Sequence, residues 1–275
     1  MNATGTVPRS RSYSRKVVIT PKILVLVILL GMTVIAARLN PADSRGIVNA
    51  GIAMLTAGIL DLSVALWHGR KLSFPDGGIV TGLIVALVLS SSAHWYTVVA
   101  TTVIALASKH LFKIKRRPIF NPAAFGLLAA IILFSSDQSW WGAFNNLSGW
   151  WVVPLLAVGF FVTNRVNKFP QVFAFLLTYL SLLLVMGLWH LGHAGDILRN
   201  PFINSALFLA FFMVTDPPTS PGKYPDQMLF GVIIAVSTLA IYWKYGGLAF
   251  LPAGLLVANV WNAVRMSRTA AKLAE

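Results

Sequence analysis

The sequence predicts an all-α integral membrane protein of about ten transmembrane helices, on three observations. The 275-residue chain is 57% hydrophobic and only 11% charged, where soluble domains carry about 25% charged residues. The charged residues fall in short clusters between long apolar runs. The Lys and Arg residues then alternate between the two sides that those runs define. This hydrophobicity excludes a disordered chain. A net charge of +14, from 22 Lys and Arg against 8 Asp and Glu, can signal nucleic acid. Clustered between apolar runs, it points to a bilayer instead, with no nucleic-acid partner. The absence of cysteine excludes disulfides, thiolate catalysis, cysteine-ligated zinc and cysteine-ligated iron–sulfur clusters.

A bilayer core takes roughly 20 apolar residues per helix, and fewer for broken ones. After a basic cytoplasmic tail, 1–22, the first span is expected at 23–38. It resembles a signal peptide, but Arg38 directly after the small residues makes a poor cleavage site, so the span is read as retained. The second, 47–67, carries Asp61 and ends on Trp67. The third, 77–92, opens on 75–82 (PDGGIVTG), where Asp76 caps the helix and Gly78 and Gly82, four apart, allow close helix approach. The fourth, 95–112, runs from Trp95 into the densest basic cluster. The fifth, 121–135, starts at Asn121-Pro122, a helix cap followed by a proline suited to the first turn. Spans six and seven follow at 150–164 and 170–189. The eighth, 201–215, begins at Asn200-Pro201 and ends in Thr215, Asp216 and two prolines, which cannot continue a helix. Spans nine and ten are expected at 228–243 and 248–264, before a cytoplasmic tail at 266–275. Spans three, five and eight are short and carry polar residues.

Eighteen Lys and Arg residues fall on one side of these spans and four, Arg38, Arg45, Arg199 and Lys244, on the other. The split places both termini in the cytoplasm and requires an even number of spans. Trp67, Trp95, Trp150, Trp151, Trp189 and Trp243 sit at span ends, where indole rings anchor at the interface. Trp140 and Trp141 are expected on the outer surface, in a short interfacial segment of the loop 136–149. The halves show a faint internal likeness: 79–92 resembles 203–220, and 120–128 (FNPAAFGLL) resembles 250–257 (FLPAGLLV). Repeat one, about 23–135, and repeat two, about 150–265, hold five spans each, and an odd number makes the copies inverted. Inverted repeats place binding sites where short or broken helices meet.

Asp61 is the carboxylate deepest in a span, at a cost of about 2.5–3.5 kcal/mol if unpartnered. It is an ion or proton candidate, or a structural partner of Arg70 and Lys71. Thr81 can bond a ligand or its own i−4 carbonyl. A capped helix N-terminus near the membrane, as at Asn121-Pro122, suits an anionic or carbonyl-rich ligand. Asp216 orders its loop or contacts a cation or cofactor. The five histidines share no metal-binding face; His190 and His193 have a usable spacing but lack a third ligand, so no metal site is expected. No catalytic nucleophile–base pair or paired carboxylates stand out.

Three stretches, 75–89 (PDGGIVTGLIVALVL), 108–124 (SKHLFKIKRRPIFNPAA) and 213–221 (MVTDPPTSP), together with LDLSVALWHGRKL around Asp61, resemble a family of membrane proteins. This is the NqrB/RnfD family, whose members belong to the Rnf electron-transport complex and to the sodium-pumping NADH:quinone oxidoreductase. The resemblance covers most of 55–265. It implies ten helices in two inverted five-helix repeats in the bacterial cytoplasmic membrane, flavins held within the membrane, and electron transfer coupled to ion movement. The positions parallel to the family's cofactor site are Thr81, Lys109, Asn121, Pro122, Thr215 and Asp216. The family's covalent flavin is a phosphoester on the Thr of an S-G-A-T motif. Its nearest counterpart here is Ser148-Gly149-Trp150-Trp151, without a Thr, so no covalent flavin mononucleotide is expected. The Gly-rich stretch before FNPA is replaced by KIKRRPI. The chain looks like a compact, stand-alone relative.

The leading expectation is therefore a membrane subunit of an electron-transport system, holding riboflavin or flavin mononucleotide non-covalently. Its partners would be the lipid bilayer and a soluble flavoprotein or other redox subunits at the basic cytoplasmic loops, around Lys113, Lys115, Arg116 and Arg117. One alternative is a small-solute or ion transporter on the same fold, lined by Thr81, Asn121, Asn204 and Asn259. A second is a non-catalytic assembly subunit.

Overall fold

The computed structural model describes residues 20–69, 73–114, 117–191, 200–247 and 249–272. Within them lie ten α-helices: α1 (Pro21–Leu39), α2 (Arg45–Trp67), α3 (Asp76–Val88), α4 (Trp95–Leu111), α5 (Pro122–Phe134), α6 (Val152–Val166), α7 (Phe169–Leu188), α8 (Asn200–Phe208), α9 (Tyr224–Tyr245) and α10 (Phe250–Lys272). Each falls on an expected span. A two-stranded hairpin, β1 (Lys113–Ile114) and β2 (Arg117–Pro118), joins α4 to α5. Helix α8 continues into a π-helical turn, Leu209–Val214.

Five segments among the described residues, Pro21–Leu39, Pro41–Trp67, Gly149–Val166, Phe169–Leu188 and Tyr224–Tyr245, are long and apolar enough to cross a bilayer. Helices α3 and α5 have 13 residues each. At about 1.5 Å per residue they reach only about 20 Å, well short of a hydrocarbon core of about 30 Å. The C-terminal end of α3, at Val88 and Leu89, and the N-terminal end of α5, at Asn121 and Pro122, are buried, and both are completed by other segments.

On α2 small residues face inward and large ones outward, as suits a helix with one side toward lipid. Ala50, Ala53 and Ala57 are buried while Leu55, Ile59 and Leu66 are exposed. Gly82 of α3 lies so close to α2 that a Cβ there would meet the Ala53 carbonyl oxygen at 2.6 Å. Gly126 holds α5 equally close to Thr101 and Ala105 of α4. The packed pairs α1–α3, α2–α4 and α4–α5 recur at an offset of five helices as α6–α8, α7–α9 and α9–α10.

The helix ends meet at two poles. At the basic pole Lys22 Nζ is 3.2 Å from Asp76 Oδ1, Lys109 Nζ is 3.4 Å from Asp61 Oδ1, and Arg265 pairs with Asp226. At the far pole the buried Asp43 carboxylate accepts from Ser91 Oγ (2.8 Å), Asn40 Nδ2 (2.9 Å) and Asn146 Nδ2 (3.0 Å). These neutral donors offset the desolvation of a buried carboxylate.

The expectation for Trp140 and Trp141 is corrected. Both are fully buried, at 0% and 1% exposure. The segment after α5 turns back into the bundle as a plug beneath α3. Ser139 N and Trp140 N donate to Val88 O (3.1 and 3.0 Å), and Trp141 Nε1 donates to Ala86 O (2.8 Å). Leu89 and Gln138 form a β-bridge. The last carbonyls of a short helix have no partner of their own, and in a bilayer no water supplies one. The indole N–H and the plug backbone fill that need, which outweighs the interfacial preference of tryptophan. Trp67, Trp95, Trp150, Trp189 and Trp243 are exposed, as an anchoring role requires.

Trp141→Ala is expected to cost about 3–5 kcal/mol and to lower the melting midpoint in detergent by roughly 10 °C. Trp67→Ala, at the exposed end of α2, should leave the midpoint within about 2 °C. Equal shifts in a thermal-unfolding assay would show that the plug is not part of the core.

Candidate functional site

At the basic pole, helices α1, α3, α4 and α5 and the π-helical turn surround a cleft. One part encloses about 180 Å³ and is lined by Thr81, Lys109, Asn121, Pro122 and Asp216, among others. A second, of about 480 Å³, is lined by Thr215 and Asp216 and by residues of α1 and α6. The two share Lys22, Val80, Phe212, Asp216 and Pro218, so they are neighbouring parts of one cleft. All six positions expected to touch a cofactor line it. The structure brings them together from segments up to 135 residues apart in the chain.

Local chemistry places each side chain. Asn121 Oδ1 accepts from Ala124 N (3.1 Å) and caps α5, as expected, with Pro122 in the first turn. Its Nδ2 donates to Met213 O in the π-turn (3.1 Å), and its backbone N–H donates to Asn259 Oδ1 of α10 (2.8 Å). Asn121 is thus a clamp between α5, the π-turn and α10, with its side chain already engaged. Thr81 Oγ1 donates to Gly77 O (2.9 Å) and Thr215 Oγ1 to Phe211 O (2.6 Å), each an i−4 bond to its own helix turn. Their remaining lone pairs are acceptors only.

The segment after the π-turn is held from several sides. Asp216 Oδ2 accepts from Thr219 Oγ1 (2.8 Å), and Asn259 and Asn262 of α10 both donate to Thr219 O (3.3 and 3.0 Å). Gln171 of α7 donates to Val214 O, and Lys168 Nζ donates to Pro221 O. Burial raises the Asp216 carboxyl above the ordinary range, while the Thr219 bond and the nearby Lys109, Lys22 and Lys168 hold it back. Lys168 is buried, and desolvation pushes its ammonium down to about 8, against Asp216, which raises it, and Arg117, which lowers it further.

Asp61 does not line this cleft. It borders a separate apolar hollow of about 300 Å³ between α2 and α4, with His68 and His110. Lys109 joins the two spaces, because it lines the cleft and its Nζ is 3.4 and 3.5 Å from the Asp61 oxygens. The expected partners Arg70 and Lys71 lie outside the described residues, as does His193. No group of three or more metal-ligating side chains occurs among the described residues. Of the expected solute lining, Thr81 and Asn121 line the cleft, Asn259 accepts from the Asn121 backbone N–H, and Asn204 is buried in the middle of α8. Sequence reasoning missed Lys22, Lys168, Phe211 and Phe212 as site residues. Lys22 and Lys168 read only as orientation charges, and the phenylalanines as ordinary span residues.

Asn121→Ala removes a helix cap and the π-turn clamp together, and should cost about 2 kcal/mol or more in thermal unfolding. The folded Lys168 holds its proton less tightly than the unfolded one, which titrates near 10.5. The unfolded state therefore binds more protons between about pH 8 and 10.5, and the contribution of Lys168 to stability rises across that window. Unfolding measured at roughly pH 7 and pH 10 should show wild type gaining stability relative to Lys168→Met as pH rises.

No individual curated protein matches the chain. The model of the NQR2, RnfD, RnfE family matches residues 9–152 and 139–261. These matches cover most of the chain, including every residue of the cleft, and the protein is a member of the NQR2, RnfD, RnfE family.

Proposed function

We propose that this Rnf/Nqr-type membrane subunit holds a non-covalent flavin in the basic-pole cleft and relays electrons within the bacterial cytoplasmic membrane. The convergence of Thr81, Lys109, Asn121, Pro122, Thr215 and Asp216 on one cleft carries this reading. The walls suit a flat aromatic ring system: Val80, Ile84, Phe211, Phe212 and Pro218 are apolar, and Lys22 and Lys109 supply cationic donors at one end. When bound, a flavin supplies one- and two-electron chemistry. The protein's part is to exclude water along the apolar walls, to orient the ring through the Thr81 and Thr215 oxygens, and to place ammonium groups where charge accumulates on reduction. Asn121 and Pro122 shape the wall rather than grip the ligand, since the Asn121 side chain is taken up by the clamp. Asp216 is the acceptor that faces the three lysines.

Asp61 is the ion or proton candidate of this reading. It shares Lys109 with the cleft, so negative charge arriving there draws on the cation that also neutralises Asp61. The alternation of basic residues supports cytoplasmic termini, and the helix pairs that recur at an offset of five support two inverted repeats. Attachment through a phosphoester is disfavoured, because Ser148-Gly149-Trp150 lies in the turn before α6 and the α6 residues that line the cleft, Val162 and Val166, are toward its other end. Passage of a solute is disfavoured by the plug, which fills the core with Trp140 and Trp141.

The optical spectrum of the detergent-purified protein tests the proposal. It should show a flavin band, and the flavin should leave the protein on denaturation. Lys109→Ala should weaken retention about tenfold, the worth of one charge-assisted contact. A colourless protein that takes up neither riboflavin nor flavin mononucleotide would overturn it.

A further inference from the structure

We infer that the β1–β2 hairpin is a docking arm for a small, soluble, acidic redox protein, received over the mouth of the cleft. The inference rests on the redox reading of that cleft and adds to it the site and chemistry of the partner.

The described strands of the hairpin are held to each other and to the body of the protein. Lys113 pairs with Pro118 and Ile114 with Arg117 across the strands, and Ile119 N donates to Phe112 O (2.9 Å). Its root is fixed by Phe112, Phe120 and Phe125, whose ring centroids lie 5.3–5.7 Å apart. A charge that only orients a span needs no such framework, because orientation responds to the number of Lys and Arg and not to their geometry. The hairpin is also the lip of the cleft. Pro118 lines the cleft, and together with Ile114 and Arg117 it lines a small hollow against Asn262 and Met266 of α10. A protein seated on the hairpin therefore lies directly over the cleft.

The charge there is left over after internal pairing. The carboxylates described at this pole are Asp61, Asp76, Asp216 and Asp226. Three are ion-paired, with Lys109, Lys22 and Arg265. Asp216 accepts from Thr219 and faces Lys22, Lys109 and Lys168. Lys113 and Arg117 are exposed, and neither is ion-paired with a described residue. Uncompensated cations around a cleft of low polarity focus the field at its mouth and steer an acidic partner toward it, the more strongly the lower the ionic strength.

The test is binding, which does not require a flavin in the cleft. The full chain is placed in nanodiscs of uncharged phosphatidylcholine, and a flavodoxin is titrated as the acidic probe at low and high salt. Wild type should bind at low salt and weaken at least about tenfold as salt rises. Lys113→Glu with Arg117→Glu should abolish that binding and gain binding to cytochrome c, a basic carrier. Lys113→Gln with Arg117→Gln, which spares insertion, should weaken flavodoxin at least about fivefold while leaving monodispersity and flavin content unchanged. Flavodoxin affinity unchanged in both variants, or binding by wild type only to vesicles of anionic lipid, overturns the docking arm. A colourless protein that still binds flavodoxin through Lys113 and Arg117 would overturn the flavin reading alone.

Discussion

A helix that ends inside a bilayer must have its last carbonyls and first N–H groups satisfied by protein, because hydrocarbon offers nothing. Helices α3 and α5 are too short to reach water at both ends, and the rest of the architecture answers that constraint. The Trp140–Trp141 plug meets the carbonyls of Ala86 and Val88. The Asn121 cap and the Asn259 side chain meet the opposite need at the start of α5. Once both sets of ends are satisfied, the space between them at the basic pole is a cleft with fixed walls. The same shortness that requires a plug on one side leaves room for a ligand on the other.

The π-turn at Leu209–Val214 belongs to this arrangement. A π-turn shifts the helical ladder by one residue and frees backbone oxygens to face outward, and such turns cluster at functional sites. Here the Met213 carbonyl, which also accepts from the Asp216 backbone, accepts from Asn121, and the Val214 carbonyl accepts from Gln171. The turn presents Phe211 and Phe212 to the cleft while its backbone is pinned from α5 and α7. Polar side chains at the start of α5 and on α7 thus converge on one short segment, and among the described residues no ion pair joins the two halves there.

Much of this was legible in the sequence. The ten hydrophobic runs correspond to the ten helices of the described residues, because runs of apolar residues are what a bilayer selects. Most ends are displaced by a few residues, with α8 ending at Phe208 before its π-turn and α10 running on to Lys272. The cap at Asn121-Pro122 could be read directly, since a cap is local chemistry. The six cleft positions came from the family resemblance and not from spacing, because nothing local ties Thr81 to Asp216. The plug was illegible for a physical reason: an indole at an interface and an indole bonded to an inward-facing carbonyl have the same sequence signature. Lys168 and Lys22 were hidden in the same way, since a lysine that orients a span and a lysine that bonds a loop look alike until the loop is placed.

The plug also ties the order of synthesis to the order of packing. It belongs to the segment between α5 and α6, yet Trp140 meets Phe208, and Asn145 Nδ2 donates to Ser205 Oγ at 2.9 Å, both on α8. When the ribosome has delivered the first five helices, the cavity beneath α3 is still open on one side. It closes only after the chain has emerged as far as Ser205 and Phe208, so the first half waits in the membrane as an unfinished core. Two halves made as separate chains would each expose this seam to lipid, which gives the fused, single-chain arrangement a reason in assembly as well as in chemistry.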